Sequence, residues 1–253
     1  MNTIDWLLKC PIAHRGLHDL RRGVIENSLS AARQAIAHGY GIECDVQLSL
    51  DGEAVVFHDF TLKRLCGVKG AVAEYTAKDL GGFLLAGSTD AVPTLTQFID
   101  IIAGRVPLII EIKSAFRGDL RLTQSVAEIV SESPFAIAVK SFDPACIAEL
   151  KRIAPHITRG IVGMKSYECG EFAHLDDCHK FKLSNLLHVQ DTLPDFISWN
   201  VADLIDLKLI MEKSNLNLLV LAWTIQNEHQ KHMAAKHANQ IIFEGFLPES
   251  FLP

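Results

Sequence analysis

Three short segments near the front of the chain hold residue types suited to phosphate ester chemistry on a metal ion: His14-Arg15-Gly16, Glu43-Cys44-Asp45 and His58-Asp59. Each lies at the end of an apolar run that reads as a strand. Successive strand side chains point to opposite faces, so Glu43 and Asp45 share one face and Cys44 points into the outer layer. Two carboxylates side by side repel unless a cation lies between them, and a hard divalent ion with oxygen ligands suits that place; a solvated acidic strand end paired with Arg or Lys is the alternative. Glu111-Ile112-Lys113 repeats the alternation and adds a third carboxylate with an ammonium that can neutralise a phosphate oxygen, or else a structural salt bridge. The planar fork of Arg15 suits bidentate contact with phosphate, and Gly16 lets the chain turn sharply. His14 and His58 can divide general acid and base work near neutrality. Asp59 either orients an imidazole or caps the next turn.

For these residues to meet, the strands that carry them must end at one mouth. Candidate strands are Pro11–His14, Gly41–Leu48, Leu108–Lys113, Ala136–Ser141, Thr158–Val162, Asp195–Trp199, Leu218–Ala222 and Gln240–Phe243. Helical patterns alternate with them, among them Ser28–His38, opened by Asn27 or Ser28 and closed before Gly39, and Leu120–Ser131 before Pro134. Eight such units in 253 residues match an α/β fold of the TIM (β/α)8 barrel class, whose active sites sit at the C-terminal ends of the strands.

A ninth apolar run, Ala54–His58, follows the second strand after only Ser49-Leu50-Asp51-Gly52-Glu53. A parallel crossover needs a dozen or more residues, so this run cannot be the next barrel strand. Asp51-Gly52 is a hairpin turn signal, which predicts that the chain rises past the rim, reverses and returns His58 toward the carboxylates. The stretch from about 60 to 94 has several glycines and no sustained period, and is expected to be a small insertion at the mouth. Residues 1–253 otherwise read as one domain, with Pro248–Pro253 as a short tail.

Composition narrows the function classes. Nearly half of the residues are hydrophobic, enough for a full core. A net charge of −6 with no Lys/Arg run argues against a nucleic-acid partner. No apolar stretch is long enough to predict a membrane span. Six cysteines lack C-x-x-C spacing, which favours free thiols; Cys169 with Cys178-His179 fits no usual zinc template. The opening residues Met1–Trp6 show no leader pattern, so a cytoplasmic location is expected. His229, His232 and His237 read as a solvated helix face rather than a metal site. Binary patterning reveals no subunit interface.

Together these segments resemble the glycerophosphodiester phosphodiesterase family. The resemblance runs from Ile12-Ala13-His14-Arg15-Gly16 through Glu26-Asn27-Ser28, Glu43-Cys44-Asp45-Val46-Gln47, Asp51-Gly52, Val55-Val56-Phe57-His58-Asp59, Tyr75-Thr76, Glu111-Ile112-Lys113 and Ser141-Phe142 to Ala222-Trp223-Thr224. It implies a TIM barrel with an insertion after the His-Asp segment, and metal-dependent hydrolysis of a small glycerophosphodiester to sn-glycerol 3-phosphate and an alcohol. It also implies Glu43, Asp45 and Glu111 as ligands of one Mg2+ or Ca2+, and His14 and His58 as the acid-base pair. Arg15 and Lys113 match phosphate contacts, while Phe142 and Trp223 either line the mouth against the glycerol or leaving alcohol, or serve as rim packing. At the last strand the family commonly has Thr-Asp before a Pro, whereas this chain has Phe243-Glu244, with Glu244 in place of the Asp. Phospholipase-like cleavage of a lipid phosphodiester, and a barrel serving only as a binding module, are the competing readings. Lipid cleavage would call for a basic amphipathic stretch, and loss of catalysis for loss of a carboxylate or histidine; neither is seen.

Overall fold

Parallel strand pairing closes into a ring in the computed structural model, which describes residues 4–168 and 170–249. The strands are β1 (Ile12–Ala13), β2 (Gly41–Leu48), β3 (Ala54–Val56), β4 (Leu108–Ile112), β5 (Ile137–Ser141), β6 (Thr158–Gly163), β7 (Phe196–Asn200), β8 (Leu219–Ile225) and β9 (Gln240–Phe243). All but β3 are parallel to their neighbours, in the order β1-β2-β4-β5-β6-β7-β8-β9 and back to β1. This is an eight-stranded TIM barrel with helices packed around it. Cys169, residues 1–3 and residues 250–253 of the expected tail lie outside the described residues.

Most strand ends lie within a residue of the sequence reading, and three differences shape the barrel mouth. The first strand is only Ile12–Ala13, because Arg15 (φ 56°) and Gly16 (φ 77°) enter left-handed backbone and turn the chain away from its neighbours. The ninth run pairs only over Ala54–Val56, so His58 stands free of the ladder. The seventh barrel strand, β8, continues through Trp223 to Ile225. Helix Leu29–Ala37 is capped by Ser28, whose Oγ accepts from the Ala31 N–H at 3.0 Å, and Arg121–Glu132 is one residue later than expected.

The brevity of β1 has a consequence for the site. β1 pairs with β2 only at Gly41 and Ile42, so the same edge of β2 is open from Val46 to Leu48. Antiparallel β3 fills it, with Val46 opposite Val56 and Leu48 opposite Ala54, after a turn through Gly52 at φ 88°. The hairpin therefore carries the chain back down to the mouth. Residues 60–94 follow, with short helices at Lys63–Cys66 and Ala77–Leu80 and a small core of Val55, Phe57, Leu62, Leu65, Val72 and Leu80. Asp51 ties the hairpin tip to this segment by accepting from the Ala77 N–H at 2.9 Å.

Inside the barrel, Ile12, Ile109, Ala138, Phe196, Leu221 and Ile242 fill the lower part, and Leu7 packs against them. Strand register then sets Asp45 beside Glu111 and Glu111 beside Lys140. Gly160 is in register with both Lys140 and Phe196. A Cβ at Gly160 would come within 2.3 Å of the Phe196 ring, so the missing side chain is what lets that ring fill the barrel. Gly160→Ala is expected to lower stability by about 1–3 kcal/mol through overpacking. Thermal unfolding followed by circular dichroism checks this, at roughly 2–4 °C of midpoint per kcal/mol.

Candidate functional site

Glu43 and Asp45 point into the barrel from β2 and Glu111 from β4, all three buried. Their ligand oxygens lie within 4.8 Å of one another, and they form the one such group of three or more His, Cys, Asp or Glu side chains among the described residues. Three charges of one sign this close, out of water, require cations. Arg15 Nε stands 3.4 Å from Asp45 Oδ2, and Lys113 Nζ lies 3.2 Å from Glu111 Oε1 and 3.9 Å from Asp45 Oδ1. Lys140 Nζ stands 3.0 Å from Glu43 Oε1 and 3.1 Å from Glu111 Oε2.

The electrostatics follow from this packing. Burial by itself would raise the Asp45 and Glu111 carboxyls, yet both are held below the usual carboxylate range. For Asp45 the opposing charges are His58, Arg15, Lys113 and His14; for Glu111 they are Lys113 and Lys140. Burial also works against the charged forms of Lys113 and Lys140, and neighbouring carboxylates outweigh it, so both ammoniums titrate above the ordinary lysine value. Glu43 Oε1 is buried, with the Lys140 ammonium 3.0 Å away as its charged neighbour.

The Glu26-Asn27-Ser28 motif explains how the first loop is held. Asn27 Nδ2 donates to Asp45 Oδ2 at 2.9 Å, while its Oδ1 accepts from the Asp45 N–H at 3.1 Å. Glu26 accepts from Arg15 at 2.6 Å and from Arg64 at 2.9 Å. The left-handed turn at Arg15-Gly16 brings the Arg15 N–H to Glu43 Oε2 at 3.1 Å. A Cβ at Gly16 would lie 2.9 Å from the Ala31 side chain, so the turn also packs directly on helix Leu29–Ala37. One loop thus touches two of the three carboxylates and the guanidinium.

Each histidine has its own carboxylate. His14 Nδ1 is 2.6 Å from Glu244 Oε2, and His58 Nδ1 is 2.8 Å from Asp59 Oδ1. An ionised carboxylate only accepts, so Nδ1 carries the proton in each pair and Nε2 is the nitrogen left for other work. His58 Nε2 is 3.3 Å from Lys113 Nζ. The hydrogen bond from His14, the nearby His18 ring with Nε2 at 3.8 Å, and a hydrogen bond from Gln226 at 2.8 Å hold the Glu244 carboxyl well below its ordinary value. Arg64 secures Asp59 from the inserted segment, at 2.6 Å.

The sequence-derived residues do converge, and several partners had escaped the reading. His58 returns beside Lys113, and Phe142 meets Trp223 edge-on at 5.6 Å between ring centroids. Phe172, 4.9 Å from Phe142, extends that wall, and the nearby Glu171 stands 3.4 Å from Lys113. Lys140, Glu171 and Arg64 were missed. Lys140 had a usable signal, being a lone ammonium inside the apolar run Ile137-Ala138-Val139-Lys140 and one residue before Ser141-Phe142. His229 and His232 are exposed on helix Glu228–Ala234, and His237 lies beyond its end.

Comparison with known proteins agrees with this geometry. The model of the glycerophosphoryl diester phosphodiesterase family matches residues 14–246. The chain belongs to that family. A glycerophosphodiester phosphodiesterase of Caldanaerobacter subterraneus subsp. tengcongensis is 32% identical over 171 residues, 63% of this chain and 67% of that one. One from Bacillus altitudinis is 28% identical over 163 residues, 60% of this chain and 65% of the relative, so the matches span about two thirds of these relatives. In fold, the chain is similar to an Oleispira antarctica phosphodiesterase solved with the product sn-glycerol-3-phosphate, at a TM-score of 0.74, 21% identity and coverage of 92% and 91% of the two chains.

Arg15 and Arg64 clamp Glu26, and the clamp should be visible in acid. Burial would raise the Glu26 carboxyl, but hydrogen bonds from the two guanidiniums bring it from 4.5 to about 2. A depressed carboxyl stabilises the fold above its unfolded value and loses that contribution as pH falls through its folded value. Stability should therefore fall between about pH 4.5 and 2. Glu26→Gln should be about 1–3 kcal/mol less stable at neutral pH and lose less across that window, measured by urea unfolding at a series of pH values.

Proposed function

We propose that this chain hydrolyses glycerophosphodiesters to sn-glycerol 3-phosphate and an alcohol, using one Mg2+ or Ca2+ held by Glu43, Asp45 and Glu111. The observation that carries the reading is the convergence of three buried carboxylates with two carboxylate-tethered imidazoles at one barrel mouth. The donor set suits such an ion, being all oxygen and drawn within 4.8 Å of one another. When bound, the cation polarises a phosphoryl oxygen and offsets the charge of the pentavalent state. The bound sn-glycerol-3-phosphate of the Oleispira antarctica phosphodiesterase is the product this reading predicts.

The chain's own residues supply the rest. Arg15 and Lys113 meet the phosphate, and a phosphate oxygen that takes Lys113 frees Nε2 of His58. One histidine, neutral, then accepts the nucleophile's proton through Nε2, while the other, as an imidazolium with a proton on both nitrogens, gives its Nε2 proton to the leaving alkoxide; the Nδ1–H of each stays hydrogen-bonded to its carboxylate. Phe142 and Trp223 pack against the glycerol or the alcohol. In this proposal residues 1–253 act as one domain, with 60–94 as an insertion that holds Asp59 and Glu26 through Arg64. No helix of the described residues is long and apolar enough to cross a membrane, and a cytoplasmic site of action is part of the reading on the strength of the cysteine spacing.

The test is release of glycerol 3-phosphate from glycerophosphocholine, -ethanolamine, -glycerol and -inositol, read by a coupled dehydrogenase. Turnover should appear with Mg2+ or Ca2+ and vanish with EDTA. His58→Ala should lose at least about 100-fold in kcat while still taking up the metal. Near-normal turnover in that variant would remove His58 from the mechanism.

A further inference from the structure

The two lysines of the acidic cluster differ in where they can go. Lys113 reaches the rim, where it touches Glu171 at 3.4 Å and His58 at 3.3 Å, and a phosphate can draw it away. Lys140 has no such exit. Its side chain is 2% exposed, it points inward from β5, and its ammonium lies against Glu43 and Glu111, two of the three proposed ligands. Gly160 and Phe196 follow it in register around the barrel wall.

We propose that Lys140 is a resident cation that sets how tightly the acidic triad holds its divalent ion. This rests on the metal reading given above. An ion entering among Glu43, Asp45 and Glu111 meets a fixed positive charge in contact with two of its ligands, in a site too dry to screen it. The charge that Lys140 neutralises is charge the incoming ion no longer finds. Groups that contact metal ligands commonly change affinity by about 10–100-fold. Here the sign is set by like charge, so Lys140 weakens retention of the ion and keeps it exchangeable. It acts through Glu43 and Glu111 and is a positioning residue, not a catalytic one.

The decisive measurement is calorimetric titration of the EDTA-stripped full chain with Mg2+ and with Ca2+, for the wild type, Lys140→Met and Lys140→Gln. Thermal unfolding with and without metal accompanies it. Both variants should bind at least about tenfold more tightly. They should also melt lower than wild type without metal and gain more from its addition, because Glu43 and Glu111 then lose the ammonium they share. A purely structural role for Lys140 predicts the opposite sign of affinity change, and equal or weaker binding in folded variants overturns the proposal. If a variant folds only with metal present, release of the ion to excess chelator replaces the titration: slower release than wild type supports the proposal, and equal or faster release overturns it. Absence of any uptake by the wild type would instead overturn the metal reading on which the proposal stands.

Discussion

Burying three carboxylates side by side is the constraint on which the rest of this structure depends. Glu43, Asp45 and Glu111 lie inside a barrel whose lower half is apolar, and each would be costly there alone. The protein answers with a cation for each direction of approach: Arg15 from the first loop, Lys113 from the rim and Lys140 from the neighbouring strand. The apolar layer beneath sharpens these interactions by excluding water.

Several backbone features can be understood as serving that cluster. The left-handed turn at Arg15-Gly16 ends β1 after two residues, brings an N–H to Glu43 and leaves an edge of β2 open. β3 occupies that edge and returns His58 to the mouth beside Lys113. Asn27 and Glu26 then fix Asp45 and Arg15 from the start of the next helix, and Arg64 joins Glu26 to Asp59. The segment 60–94 is therefore tied electrostatically to the site as well as packed on the hairpin.

Much of this was legible in the chain because it follows from short-range rules. Strand alternation put Glu43 and Asp45 on one face, and the five residues between β2 and the next apolar run excluded a crossover and required a hairpin. The partners that escaped notice make contacts with residues far along the chain. Lys140 meets Glu43 across 97 positions of sequence, and Arg64 meets Glu26 across 38, so neither pairing leaves a local pattern. Glu244 was noticed as a departure from the family, yet its bond to His14 across 230 positions became visible only when β9 closed against β1.

The sequence by itself determined which residues carry charge, which faces of the strands they occupy, where the chain must reverse and that the fold is a closed parallel barrel. These are consequences of side-chain periodicity and of turn chemistry within a few residues. Tertiary structure alone decided which cation answers which carboxylate, that each imidazole is tethered through Nδ1, and that a second ammonium lies buried beside the triad. Those outcomes depend on the register between neighbouring strands and on barrel closure, which bring together groups from distant parts of the chain at distances of about 3 Å, where Coulombic attraction and hydrogen bonding can offset the loss of water.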